Sequence, residues 1–326
     1  MKTLAVVSGG DAPGINAALA HFTALAARDG HTVIGARRGF EGVLDGDLLT
    51  LTVGDVVPWA AHAGSLLPSS RVPVLKDDAN HAAMADVLVR HAIDNVLLFG
   101  GDGSLRYLPP ILAASGVPCI GLPTTIDNDL AGTDATLGYD SACNFAYQAV
   151  DGARATAHAL PGRIFMIETL GGYTGMLALA IAYGAGVHAV LVPEYAYDND
   201  WLAQRLTGAV NRDGYALMVL SEGVAAARTL VDDIPQWTQI RVRDIRLGHS
   251  QRGAKPSHRD RTLAADMARI AFEALRGGVS RGTVVVRQER ALLHEGALDG
   301  FAPKLPDRAQ YNAVNGFEDD YEPARN

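Results

Sequence analysis

The chain has 326 residues, of which 48% are apolar and 35 are glycine, and it carries a net charge of −8. That is enough chain for two domains with a core each, and the acidic balance excludes the overall basic field that draws nucleic acid or anionic membrane, leaving small ligands as the expected partners. The two cysteines, Cys119 and Cys143, are too few for a disulfide framework and lack the spacing of a zinc site, which fits a reducing cytoplasm.

Along the chain, Met1 and Lys2 lead into the apolar run Leu4–Val7, too short for the hydrophobic core of a secretory leader and read as a first strand. Further strands are expected at Thr32–Gly35, Val96–Phe99, Cys119–Leu122, Ile164–Ile167, Ala189–Val192 and Ala216–Leu220. Helices are expected at Ile15–Arg28, His81–His91, Ser141–Ala157, Tyr173–Ala182, Asp200–Asn211 and Arg259–Arg276. The most membrane-like stretch, Met176 to Pro193, is broken by Gly184, Gly186 and His188 and reads as a helix feeding a short strand, not a bilayer span. No repeat, low-complexity tract or Pro/Ser linker is evident, so a domain boundary is expected at compact crossovers. From about Phe301 the composition turns to Pro, Asp, Glu and Asn, and loose packing is expected there. Strand-length apolar runs alternating with helix-length segments are the pattern of βαβ units, so the fold class is α/β, doubly wound, with mostly parallel sheets.

In such sheets ligands collect at the carboxyl ends of the strands, and three loops at those positions carry chemistry. The first, Ser8-Gly9-Gly10-Asp11-Ala12-Pro13-Gly14, opens a helix directly after a strand. Its glycines let a phosphate approach the main chain, and the helix N-terminus supplies partial positive charge, although such a turn is often purely structural. It matches neither the Walker A spacing nor a dinucleotide fingerprint. The second, Gly100-Gly101-Asp102-Gly103-Ser104, offers a carboxylate for a metal that bridges phosphoryl oxygens; the plainer reading is a tight turn with a helix cap. The third, Thr124-Thr125-Ile126-Asp127-Asn128-Asp129, places a hydroxyl and two carboxylates within five residues, one suited to Mg²⁺ and the other to taking a proton from an attacking alcohol. Asp/Asn-rich turns usually only bond their own backbone, but three such loops converging on one crevice point to phosphoryl transfer.

In combination and order these loops, with Cys119-Ile120-Gly121-Leu122-Pro123, Glu168-Thr169-Leu170-Gly171 and Leu247-Gly248-His249-Ser250-Gln251-Arg252-Gly253, resemble the bacterial-type 6-phosphofructokinase family from the first strand to about Arg276. A Gly-Gly-Asp-Gly loop alone also suits NAD and diacylglycerol kinases; the other segments do not. The resemblance implies two doubly wound α/β domains, residues 1–138 with 251–305 binding the phosphoryl donor and Mg²⁺ and residues 139–250 binding the sugar phosphate, with the active site in the cleft between them. It implies a glycolytic kinase that moves the γ-phosphoryl of ATP to the C1 hydroxyl of fructose 6-phosphate, or of a related ketose phosphate, to give fructose 1,6-bisphosphate. Asp127 would be the base, Asp102 and Asp129 would serve Mg²⁺, and Thr125 and Arg71 would stabilise charge on the transferring group. Gly10, Arg71, Asp102, Gly103 and Ser104 would hold the donor. Thr125, Asp127, Asp129, Arg163, Leu170, Gly171, Gly172, Glu222, Arg243, His249 and Arg252 would hold the acceptor, the arginines and His249 around its phosphate. In the family two of these arginines cross from a neighbouring subunit, so the resemblance also implies a homodimer or homotetramer with shared active sites.

The sequence departs from the family pattern at several places. Gly172 stands where family catalysts carry arginine, which keeps open an altered rate, an altered sugar or a catalytically silent sugar-phosphate-binding homologue. Gly103 takes the ATP side of the donor pattern, whereas Thr124 fits neither ATP nor pyrophosphate users and Tyr107 replaces a glycine beside the nucleoside, so pyrophosphate stays open as the alternative donor. At the family's effector site, Ala20 and Ala24 replace arginines and His188 replaces a metal-binding glutamate, leaving only Arg154; little response to ADP or phosphoenolpyruvate is expected.

Overall fold

The β-branched runs and Ala-rich segments fold, in a computed structural model that describes residues 1–70, 77 and 79–318, into alternating strands and helices. The order opens with β1 (Lys2–Ser8), α1 (Ile15–Arg28), β2 (Thr32–Ala36), α2 (Gly39–Asp45), β3 (Leu48–Leu51), α3 (Val53–Val56), α4 (Ala79–Arg90), β4 (Asn95–Gly100), α5 (Asp102–Ala114), β5 (Cys119–Pro123) and α6 (Tyr139–Ala159). It continues through β6 (Arg163–Thr169), α7 (Met176–Ala185), β7 (Ala189–Leu191), α8 (Asn199–Asp213), β8 (Tyr215–Ser221), α9 (Leu230–Thr238) and β9 (Arg241–Arg246). A 3₁₀ turn at Gly248–Gly253 then leads to α10 (His258–Arg276), β10 (Arg281–Arg287), β11 (Arg290–Glu295) and α11 (Arg308–Asn315). No described helix is long and apolar enough to cross a membrane.

The chain divides into two compact units, Met1–Ser141 with Arg252–Lys304, and Ala142–Gln251 with Leu305–Asn326. The first unit holds a seven-stranded sheet in the order β11-β10-β5-β4-β1-β2-β3. Its five central strands are parallel, and the two outer ones, β3 and β11, pair antiparallel with their neighbours. Leu4, Ala5, Val6 and Val7 are all buried, as are Val96 through Phe99, because helices cover both faces of a parallel sheet. One face packs Leu4, Val6, Val96 and Leu98 with Phe40, Met84, Leu88, Leu105 and Leu108.

The second unit holds a four-stranded parallel sheet in the order β7-β8-β6-β9. Ile164, Met166, Met218 and Leu220 pack against Leu202 and Leu206 of α8 and Ile234 of α9. The two edges of this sheet are protected differently. On β9, Arg241, Arg243, Asp244 and Arg246 are exposed, and such charge discourages pairing with another strand. Beside β7, Asn315 of α11 acts as a short substitute strand: its Oδ1 accepts from Val190 N at 2.9 Å and its Nδ2 donates to Val190 O at 3.0 Å.

Helix α11 lies in the stretch whose composition suggests loose packing, and the structure corrects that expectation. Tyr311 is fully buried, Asp307 caps the helix through Gln310 N at 2.8 Å, and Arg205 donates to Val314 O at 2.9 Å. Asn315→Ala is expected to lower the stability of the protein by about 1–3 kcal/mol, because it strips both partners from a buried backbone pair. Chemical denaturation checks this, and a change below about 0.5 kcal/mol would show that the edge needs no such cover.

Candidate active site

Each of the three sequence-marked loops lies at the carboxyl end of a strand in the first unit, after β1, β4 and β5. The β1 loop enters α1 through Gly14 at φ +99°, where a Cβ would lie 2.8 Å from Leu137. Gly9 N donates to Ser70 O at 3.0 Å and Ser69 Oγ to Gly9 O at 2.7 Å, while Asn16 accepts from Leu66 N at 2.7 Å, so the segment before residue 71 is tied to this loop. Arg71 lies outside the described residues.

Gly10 faces Arg252 so closely that a Cβ there would lie 2.5 Å from the guanidinium. Arg252 donates to Asp11 O at 3.1 Å and sits 4.0 Å from Asp127 Oδ2, which brings a fixed cation to the third loop. The β4 loop approaches the same place, since a Cβ on Gly101 would be 3.5 Å from Thr125. Asp102 begins α5, and its Oδ1 accepts from Arg106 Nε at 2.6 Å; Arg106 also donates to Leu298 O at 3.1 Å. Ser104 uses its hydroxyl on Ser8, with Oγ···Oγ at 3.0 Å, which leaves its backbone N–H at the start of α5, a place where helices favour anions. A Cβ on Gly103 would meet nothing within 4 Å. The protein's own packing therefore makes no demand for glycine there, and the space beside Asp102 is open to a ligand.

The third loop is braced from several sides. Thr125 Oγ1 accepts from Asp127 N at 3.1 Å, and Thr136 donates to Thr125 O at 2.6 Å. Asn128, between the two aspartates, adopts φ +54°, a left-handed conformation that asparagine tolerates better than most residues. Its Oδ1 accepts from Lys304 Nζ at 2.9 Å. Burial pushes Asp129 up to about 6, with Asp127 and then Asp102 adding repulsion and Lys304 opposing it. Lys304 is in turn pushed down to about 8 by burial, against the pull of Asp134 and Asp129.

No cage of three His, Cys, Asp or Glu side chains stands ready among the described residues. Mg²⁺ does not require one: it is ordinarily held by one or two carboxylates together with substrate phosphates and water. Asp102 and Asp129, close enough to repel and bordered by the open space at Gly103, fit that role.

In the second unit, Gly171 has φ +148° with a Cβ position 2.4 Å from Thr174 O, so only glycine fits; at Gly172 a Cβ would meet nothing within 4 Å, but its φ of +59° still favours glycine. Gly172 N donates to Glu222 Oε1 at 2.9 Å, and Leu170 N to Gln251 Oε1 at 2.7 Å. Leu170, Gly171, Gly172 and Glu222 thus form one cluster at the carboxyl ends of β6 and β8, with His249 exposed on the 3₁₀ turn. Arg163 and Arg243 are not in that cluster. Arg163 opens β6, about 20 Å of strand from Thr169 at roughly 3.3 Å per residue, and Arg243 sits in register with Phe165 near the same end. Neighbouring the cluster, Glu168 is raised chiefly by burial, and its Oε2 lies 3.8 Å from Arg246 Nε.

Arg106 and Lys304 are site neighbours that sequence reasoning missed, whereas Glu168 stands in the Glu168-Thr169-Leu170-Gly171 motif but was given no role. Arg106 had a signal, being four residues after Asp102 on a helix. Lys304 had none, lying 176 residues from Asn128. At the site that resembles an effector pocket, His188 accepts from Leu217 N at Nδ1 (2.8 Å) and bonds Asp213 through Nε2 (3.1 Å), which leaves no ring lone pair for a metal.

A family model for phosphofructokinase matches residues 2–275. The chain belongs to the phosphofructokinase family. The ATP-dependent 6-phosphofructokinase of Lactobacillus johnsonii is 36% identical over 306 residues, 93% of this chain and 95% of that protein. ATP-dependent 6-phosphofructokinase 1 of Thermus thermophilus is 37% identical over 284 residues, 86% of this chain and 88% of that one. Among solved structures, phosphofructokinase from Pichia pastoris in the T-state aligns with TM-score 0.83 at 26% identity, covering 91% of this chain and 35% of its own. The pyrophosphate-dependent phosphofructokinase of Nitrosospira multiformis aligns with TM-score 0.85 over 99% of this chain and 94% of that one, at 22% identity, which speaks for the fold alone.

The phosphofructokinase loop makes a stability prediction. An acid whose native pKa is raised from about 4 to about 6 binds more protons folded than unfolded between those values, so the native state loses stability as pH rises through that window. Asp129→Asn is therefore expected to stabilise the metal-free protein at pH 7.5 by up to about 3 kcal/mol and to have no such effect at pH 4. Chemical denaturation at the two pH values measures it; equal shifts at both would show that Asp129 is not strained.

Proposed function

We propose that this protein transfers the γ-phosphoryl of ATP to the C1 hydroxyl of fructose 6-phosphate, giving fructose 1,6-bisphosphate and ADP. The observation that carries this reading is that Asp102, Asp127 and Asp129 lie near enough in the first unit for the first two to repel the third, with open space beside Asp102 at Gly103. Family membership and the ATP-dependent names of relatives at 36–37% identity support the donor and the acceptor.

Asp127 is assigned the base role: its carboxylate takes the proton of the C1 hydroxyl as the oxygen bonds to phosphorus and ADP departs. Arg252, 4.0 Å from Asp127 Oδ2, adds positive charge where the phosphoryl group is transferred. The Thr125 hydroxyl accepts from Asp127 N, so its own proton is directed away from that bond and available to a phosphoryl oxygen. Gly10, Gly103 and Ser104 present backbone N–H groups to the donor phosphates, and Arg71 is assigned to the same charge. When bound at Asp102 and Asp129, Mg²⁺ neutralises phosphate charge that the three acids would otherwise repel.

Sugar-phosphate binding is assigned to Leu170, Gly171, Gly172, Glu222, His249 and Arg252. Glu222, already fixed by Gly172 N, accepts from a sugar hydroxyl through its other oxygen. Arg163 and Arg243, remote from that cluster on their own sheet, are assigned to the acceptor phosphate of a neighbouring copy in a homodimer or homotetramer. The first unit serves the donor and the second the acceptor, and the enzyme works in glycolysis in the cytoplasm.

Purified protein with Mg²⁺ and fructose 6-phosphate is expected to turn over with ATP and not with pyrophosphate. Asp127→Ser is expected to lower kcat by roughly 10²–10⁴-fold. Turnover with pyrophosphate alone would reverse the donor assignment, saturable sugar-phosphate binding without turnover would leave a silent binding protein, and an unimpaired Asp127→Ser variant would remove the base.

A further inference from the structure

The loop that carries Asp127 and Asp129 does not hold its shape by backbone bonding alone. Its pivot, Asn128, is 3% exposed and left-handed, a conformation that costs a non-glycine residue free energy, asparagine less than most, and that persists where neighbours hold it. Three groups meet its carboxamide: Lys304 Nζ donates to Oδ1 at 2.9 Å, Thr136 Oγ1 lies 3.4 Å from the same oxygen with its proton directed to Thr125 O at 2.6 Å, and Nδ2 points to Asp134 O at 3.5 Å. Lys304 Nζ also donates to Asp134 O at 2.8 Å. One ammonium thus joins the turn that carries both aspartates to the segment six residues downstream, and it is the only charged donor that the described structure gives Asn128.

The position of this lysine is also informative. Lys304 is the last residue of the first unit, reached by a chain that leaves β11 at Glu295 and passes Leu298, whose carbonyl accepts from Arg106. The same returning segment therefore contacts the side chains that flank the candidate metal loop at two points, Arg106 on Asp102 and Lys304 on Asn128. A lysine needed only for solubility would extend into water; this one is half-buried and places its charge within reach of Asp129 and Asp134.

We propose that Lys304 is a positioning residue for phosphoryl transfer: by clamping Asn128 in its left-handed turn it aims Asp127 at the acceptor hydroxyl and Asp129 at Mg²⁺. The proposal rests on the function proposed above. Lys304 touches neither substrate nor metal; its influence passes through Asn128. Removing it leaves the turn to relax, and displacements of about 1 Å at a reacting group can cost about 10²-fold in rate.

The test compares wild type with Lys304→Met, Lys304→Arg, Asn128→Gly and the double variant Lys304→Met/Asn128→Gly. Lys304→Met is expected to lower kcat about 10- to 100-fold with KM for fructose 6-phosphate changed less than about twofold, and to raise the Mg²⁺ concentration for half-activity several-fold. Lys304→Arg, which keeps a cationic donor, is expected to recover most of the turnover. Glycine accepts the left-handed turn without the carboxamide, so Lys304→Met should add nothing further in the Asn128→Gly background. Independently of activity, amide hydrogen exchange of the unliganded protein should quicken across residues 124–136 in Lys304→Met while β6 and β8 keep their protection. Wild-type kcat and Mg²⁺ dependence in Lys304→Met, multiplicative losses in the double variant, or unchanged exchange across residues 124–136 would overturn the proposal. If Lys304→Met does not fold, Lys304→Ala, which likewise removes the donor to Asn128, gives the same readings. If wild type shows no turnover, the proposed function fails while the exchange measurement still decides whether the clamp exists.

Discussion

Three carboxylates held near one another in a half-dry loop region set the terms for the rest of the first unit. Their mutual repulsion, strengthened by burial at Asp129, disfavours the ionised native state and must be countered by fixed cations and by a rigid backbone. The structure supplies both from widely separated parts of the chain: Arg106 on Asp102, Arg252 beside Asp127, and Lys304 beside Asn128. This is the arrangement expected where strain is retained for function, because a site optimised only for stability would not keep three acids together.

The supporting framework follows from the same need. A parallel sheet buried on both faces gives strand ends that are rigid, and the three loops inherit that rigidity from β1, β4 and β5. Close approaches then fix their mutual positions: Gly10 against Arg252, Gly101 against Thr125, and the Ser8–Ser104 hydroxyl contact between the first strand and α5. Glycine has two distinct uses here. At Gly14 and Gly171 the protein's own atoms and backbone angles exclude a side chain, and at Gly172 the left-handed φ of +59° disfavours one although the space is empty, whereas at Gly103 the backbone is ordinary and the volume stands open.

Most central elements were legible because their patterns are local. The runs at Leu4–Val7, Val96–Phe99 and Ile164–Ile167 are apolar throughout, as strands covered on both faces must be. The elements that escaped notice have mixed signals. β9, with the sequence Arg241-Val242-Arg243-Asp244-Ile245-Arg246, is an edge strand whose charges protect it from pairing, which hides it from a search for apolar runs. β3 and β11 are likewise edge strands with half-exposed faces, and β10 follows directly on a long helix with a glycine in its first residues. α5 contains Pro109 and Pro110, which argue against a helix, yet Leu105, Leu108 and Leu112 bury one side of it and packing overrides propensity. α11 is polar in composition but anchors through Tyr311 and Asn315.

Taken alone, the sequence determined the class of fold, the family, and the identity of the three acidic loops, since strand and helix periodicities and short motifs are encoded by neighbouring residues. It also placed glycines where phosphate could approach. Tertiary structure decided which charges meet. Lys304 reaches Asn128 across 176 positions, Asn315 reaches Val190 across 125, and Arg163 opens its strand at the end opposite Thr169 although only six positions separate the two. The physical reason is that such pairings depend on the order of strands in a sheet and on where a returning segment packs, and no local pattern of apolar and polar residues records either.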